Sequence, residues 1–185
     1  TERVVTIEDT AELRLAHDHV VSLETRPANL DGQREITARD LVRNALRMRP
    51  DRIVLGEIRS VEVLELLQAM NTGHDGSLST VHANTPRDAL FRLELLSGFA
   101  GYNGSERTLR EMVVSAIDLI VQVVRRADGR RQVQGIVAVE GLDDSGAYRA
   151  VPLYSHDEQE DRFVSHLAAF NPDGNSRLAA VLGAR

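Results

Sequence analysis

The 185-residue chain contains no cysteine and no tryptophan, and all 22 of its basic residues are arginine. Without cysteine, disulfides and thiolate metal sites are excluded, in keeping with a reducing cytosol. Without lysine, a phosphate-cradling loop of the pattern Gly-x-x-x-x-Gly-Lys-Ser/Thr cannot be built from these residues. Aromatic residues make up only 4% of the chain, which leaves few stacking platforms for single-stranded nucleic acid. A net charge of −6 removes any whole-surface attraction to nucleic acid or to an anionic membrane. No apolar run approaches the roughly 20 residues that span a bilayer, and no secretory signal is present. Thr1 is not an initiator methionine, so the sequence is expected to begin inside a longer polypeptide.

What is present is a chain 42% hydrophobic, its apolar positions mostly Leu, Val, Ile and Ala, a balance suited to helices packed on a parallel sheet. Short β-branched runs at residues 4–7, 19–23, 52–56 and 77–81 read as strands. Between them lie helical patterns. Thr37 with Asp40 three residues on is a capping-box start, and Pro50 stops the helix that follows. Ser60 is a candidate cap for a second helix, and Thr85-Pro86-Arg87-Asp88 opens a third. A fourth is expected over 106–117. Beyond residue 117 the period changes to two. Residues 119–125 and 132–140, joined by Asp128-Gly129, predict a β-hairpin, and residues 148–153 a third antiparallel strand. The end of the chain, carrying Asn171-Pro172-Asp173-Gly174, reads as peripheral.

Strands alternating with helices predict a doubly wound parallel sheet, which binds ligands beyond the C-terminal ends of its strands. Those ends carry titratable groups: Glu8-Asp9 after the first strand, Glu57 after the third and His82 after the fourth. Carboxylates plus imidazole suit a Mg²⁺-nucleotide, since carboxylates hold the metal directly or through water and orient an attacking water. Singly, an acid past a strand is a turn or cap residue, and His17 with His19 reads as a solvated loop. The combination carries the reading.

Three segments in order carry a resemblance. Residues 6–13 (Thr-Ile-Glu-Asp-Thr-Ala-Glu-Leu) resemble the Asp box of the type II/type IV secretion ATPase superfamily. Residues 49–59 (Arg-Pro-Asp-Arg-Ile-Val-Leu-Gly-Glu-Ile-Arg) resemble its Walker B segment, and residues 72–84 its His box, with His74 and His82 eight apart. The His-box spacing and residues 41–52 are most similar to the Tad/Flp pilus-assembly ATPases. The resemblance covers about residues 1–125 and implies a partial RecA-like P-loop NTPase core with a C-terminal antiparallel β-meander. It divides the chain into ATPase-domain residues 1–125, a strand extension 126–162 and a tail 163–185.

The resemblance further implies that Glu57 is the catalytic glutamate and that Glu8 supports it. Asp9 and Glu12 would shape a Mg²⁺ environment through water, His82 would contact the γ-phosphate side of ATP, and His74 would assist. Gly56 stands where a conventional Walker B strand carries Asp, a departure the family shares. Arg39, Arg43 and Arg47 lie at i, i+4 and i+8 on one helix, which is either a solvated face or a row that meets acids or phosphate. Arg47, Arg49 and Arg59 are candidates to reach a neighbouring subunit's nucleotide. The implied assembly is a homo-hexamer at the cytoplasmic face of the inner membrane. It would work on membrane platform proteins, with no nucleic acid partner and no membrane insertion, to power pilus assembly or secretion. The alternative is a truncated, non-catalytic interaction module of the same fold. Because the family's P-loop lies upstream of the Asp box, this polypeptide alone is expected to bind ATP poorly and to hydrolyse it negligibly.

Overall fold

In the computed structural model, residues 2–170 and Leu178 are described. They form two compact units, one of Thr1–His82 with Arg92–Asn103 and one of Ala83–Phe91 with Gly104–Arg185.

The first unit is built on a parallel sheet of order β2-β1-β3-β4, with β1 Val4–Glu8, β2 Val20–Glu24, β3 Arg52–Leu55 and β4 Leu78–Ser79. Every residue of β1 is buried, as expected for a central strand covered on both faces. Helix α1 (Ala38–Ala45) starts at the expected capping box: the Thr37 hydroxyl accepts from the Asp40 amide, and the Asp40 carboxylate accepts from the Thr37 amide. Leu41, Val42 and Ala45 form its buried face. A 3₁₀ turn (Leu46–Met48) follows, and Arg49 takes a left-handed conformation before Pro50. Helix α2 (Val63–Met70) buries Val63, Leu66, Leu67 and Ala69. The expected Ser60 cap does not form. The Glu62 carboxylate instead accepts from the Arg59 and Ser60 amides, and the helix begins at Val63.

Strand β4 keeps two residues of the five expected. The hydroxyls beside it add to the pairing: the Ser77 Oγ accepts from the Ile53 amide at 3.0 Å, and the Thr80 Oγ1 donates to the Gly56 carbonyl at 2.6 Å. Side-chain bonds thus supplement the ladder at both ends of a short strand.

The second unit holds an antiparallel meander, β5 Leu119–Arg125, β6 Arg131–Leu142, β7 Tyr148–Asp157 and β8 Arg162–Ser165. The Asp128-Gly129 turn forms as expected, with Gly129 at φ +85°. Helix α4 (Glu106–Ala116) is capped by Ser105, whose hydroxyl accepts from the Thr108 amide. Helix α3 (Pro86–Phe99) opens with Thr85, whose hydroxyl accepts from the Asp88 amide. Described residues of the tail expected to be peripheral pack on the meander. Strand β8 pairs with β7, and Leu178 is buried with Ala138 and Leu153, flanked by Ile136, Tyr154, Leu167 and Phe170. A meander face rich in β-branched residues needs an apolar cover, and Leu167, Phe170 and Leu178 provide part of it. The expectation for Asn171-Pro172-Asp173-Gly174 falls outside the described residues.

Candidate active site

Because β1, β3 and β4 run parallel, their C-terminal ends share one edge of the sheet. A cleft of about 760 Å³ opens there, within the size range of small-molecule sites. Among its lining residues are Glu8, Asp9, Glu12, Glu57, Arg59 and Thr80.

Each acid is placed by its strand. Glu8 ends β1 and is 9% exposed, and its Oε1 accepts from the Glu12 and Leu13 amides, both at 3.1 Å. Those bonds satisfy a buried carboxylate that would otherwise be costly. Gly56 continues β3 with its amide on the Ile7 carbonyl at 2.8 Å. A Cβ there would stand 3.3 Å from the Glu8 Cγ, so glycine permits the close approach. Ile58, 4% exposed, pins the next turn through its amide to the Thr80 carbonyl. Glu57, between these anchors, therefore projects over the cleft.

Two side chains converge on Glu57. Its Oε2 accepts from the Arg59 Nε at 2.6 Å, and its Oε1 lies 3.1 Å from the His82 Nε2. Arg59 reaches on to the Asp9 Oδ2 at 2.5 Å, and the Thr25 hydroxyl donates to the Asp9 Oδ1 at 2.9 Å. The hydrogen bond to Glu57, then the negative charges of Glu57 and Asp9, hold the Arg59 guanidinium above its already high proton affinity. Arg59, His82, Asp9 and Glu57 thus form one network, with His82 largely exposed and Glu57 mostly shielded.

The residues expected from sequence separate into three groups. Glu8, Asp9, Glu57 and His82 come together, and Glu12 joins through its backbone amide. Arg59 belongs with them, bound to Glu57 and Asp9 of its own chain. His74 does not reach the cleft. It precedes β4, at the opposite end of that strand from His82, and its Nδ1 lies 3.0 Å from the Ala69 carbonyl. Arg47 and Arg49 precede β3, so they stand at the far edge of the sheet from Glu57, both exposed. Of the arginine row, Arg39 meets Glu65 of α2 at 2.6 Å and Arg43 the same oxygen at 3.8 Å, so two of its members find an acid in their own chain. Sequence reasoning passed over Glu62, Thr25 and Thr80. The only signal for Glu62 was an acid flanked by valines, Val61-Glu62-Val63.

As a metal site the cleft is sparse. Among the described residues no group of three or more His, Asp or Glu side chains is close enough to cage an ion. Asp9 and Glu12 do offer carboxylates to the cleft, the donor chemistry of Mg²⁺, which keeps several waters and is usually bound through one or two carboxylates plus phosphate oxygens.

The family described as Type II/IV secretion system protein matches residues 1–167. The type IV secretion system protein PtlH of Bordetella pertussis is 43% identical over 152 residues, covering 76% of this chain and 43% of that protein. The conjugal transfer protein TrbB of Rhizobium radiobacter is 40% identical over 140 residues, covering 76% and 40%. The chain therefore spans less than half the length of these relatives. Among solved structures, the VirB11 ATPase of the Brucella suis type IV secretion system, in complex with sulphate, superposes with a TM-score of 0.64 at 30% identity. It covers 74% of this chain and 40% of that one. The ATPase DotB of Legionella pneumophila gives a TM-score of 0.54 at 26% identity, covering 74% and 37%. The parallel sheet with its flanking helices is thus part of a RecA-like core, and the chain belongs to the type II/IV secretion system protein family.

Proposed function

We propose that this chain is the water-activating portion of an ATPase that powers secretion or pilus assembly. The observation that carries the reading is the meeting of Glu8, Glu57 and His82 at one sheet edge, with Glu57 clamped between Arg59 and His82. Glu57 is the residue that orients the attacking water on the γ-phosphate. Glu8, fixed by two amides, shapes the floor beneath it, and His82 stands ready to donate to a phosphate oxygen. Asp9 and Glu12 would hold Mg²⁺ through water, and the ion would supply charge neutralisation at the phosphates. The chain's own contribution is orientation, since phosphoryl transfer is catalysed mainly by positioning and electrostatics. The lysine-bearing phosphate loop comes from elsewhere in the protein.

Arg47 and Arg49 are proposed to face a neighbouring subunit in a hexameric ring, because they lie exposed at the opposite edge from Glu57. Within the family we place the chain nearest the Tad/Flp pilus-assembly ATPases on residues 41–52, working at the cytoplasmic face of the inner membrane against platform proteins. No helix among the described residues is long and apolar enough to cross a membrane. The test is phosphate release by the polypeptide extended upstream to include a phosphate loop, at saturating Mg²⁺-ATP. Glu57→Gln should lower the rate by about 10²–10⁴-fold, the range for a positioned acid–base group. An unchanged rate would remove Glu57 from the chemistry.

A further inference from the structure

Glu62 is the buried acid of this cleft that the reading above leaves without a task. It is 5% exposed, stands at the entry to α2 and lines the same cleft as Glu57. A buried carboxylate needs strong donors, and the Glu62 Oε1 finds two: the Arg59 amide at 2.5 Å and the Ser60 amide at 2.8 Å. These bonds do not cap α2, whose first turn has no side-chain cap. They close the turn over residues 59–62.

That turn carries the guanidinium on which the network depends. The Arg59 side chain is 63% exposed and holds Glu57 and Asp9 from one planar fork. An exposed arginine has many rotamers and little packing to select one, so a single bridging geometry requires that its backbone origin be fixed. Ile58 fixes one side of that origin through its amide on the Thr80 carbonyl, and Glu62 fixes the other.

We propose that Glu62 is a positioning residue: clamped on the Arg59 and Ser60 amides, it aims the Arg59 guanidinium at Glu57 and Asp9 and so sets the carboxylate that orients water. The inference rests on the role of Glu57 proposed above. Glu62 itself touches neither Glu57 nor Asp9, and it acts through Arg59.

The experiment follows the Arg59 Nε–H signal of the 185-residue chain by ¹⁵N NMR without nucleotide. The Arg52 Nε–H signal, bound to Glu2 at 2.6 Å, serves as the internal control. Glu62→Ala should speed solvent exchange of the Arg59 Nε–H and of the Arg59 and Ser60 amides by about tenfold or more, leaving Arg52 unchanged. Glu62→Gln, which keeps an acceptor oxygen at the same reach, should restore most of the protection. If Glu62→Ala does not fold, Glu62→Asp decides, because one methylene fewer draws the acid off both amides and should speed the Arg59 Nε–H alike. Faster amides with an unchanged Arg59 Nε–H overturn the proposal, as does equal loosening of Arg52 and Arg59. None of these signals involves ATP. The expected pattern combined with full hydrolysis by Glu57→Gln in the longer polypeptide would keep the positioning of Arg59 and discard the catalytic role of Glu57.

Discussion

Replacing Gly56 with alanine tests the close packing that seats Glu57 beside Glu8. The new Cβ would meet the Glu8 Cγ at 3.3 Å and the Ile7 carbonyl oxygen at 3.5 Å. Glu8 cannot swing away freely, because the Glu12 and Leu13 amides hold its carboxylate. Overpacking of this kind costs about 1–3 kcal/mol. Against it stands about 0.4–1 kcal/mol gained when alanine narrows the unfolded ensemble. The expected net loss is about 1 kcal/mol, a fall of about 0.5 M in urea midpoint for a slope near 2 kcal/mol/M. The assay is urea denaturation followed on the amide signals of β1 and β3, with exchange at Glu12 and Leu13 measured in parallel. Gly98 is the control. It lies in α3 with open space around its position, so Gly98→Ala should raise the midpoint by about 0.25–0.5 M at that slope. A Gly56→Ala protein as stable as Gly98→Ala, with unaltered Glu12 and Leu13 protection, would refute the reasoning.

Other perturbations follow from the same geometry. Ile53 is fully buried in β3, between β1 and β4, so Ile53→Ala should cost about 2–5 kcal/mol in the same denaturation assay. Acid should weaken the fold in a defined window. Hydrogen bonds from Thr37 to Asp40, from Ser145 to Asp143 and from Arg52 to Glu2 hold these carboxyls below their ordinary values. Their stabilisation is complete above the unfolded carboxyl range of about pH 4 and is lost as pH falls through the lower folded values. Thermal melts from pH 6 to pH 2.5 should show a midpoint flat at first and then falling below about pH 4, and a midpoint that rises on acidification would contradict the assignment.

Local signals were the legible ones. The Thr37–Asp40 capping box and the Thr85 cap are bonds between residues three apart, so their spacing alone announces them. β1 and β3 declare themselves as apolar runs, and with the parallel topology this brings Glu8, Glu57 and His82 to one edge. What sequence could not show is long in reach. Arg39 finds Glu65 26 residues on, and Arg59 finds Asp9 50 residues back. Of the two readings left open for the arginine row, Arg39 and Arg43 take the one in which it meets an acid, here within the same chain. Beside the two-residue β4, the Ser77 and Thr80 hydroxyls add side-chain bonds to the β3 backbone, a contribution that propensity does not register. His74 and His82 share a motif yet flank a strand, and a strand separates its two ends.

The most direct measurement is the structure of the longer polypeptide with Mg²⁺ and a non-hydrolysable ATP analogue. The account predicts the γ-phosphate at the C-terminal edge of β1 and β3, with Glu57 and His82 facing it and Asp9 and Glu12 reaching the metal through water. A nucleotide bound at the Arg47–Arg49 edge of the same chain, or a cleft at Glu57 that stays free of phosphate, would contradict it.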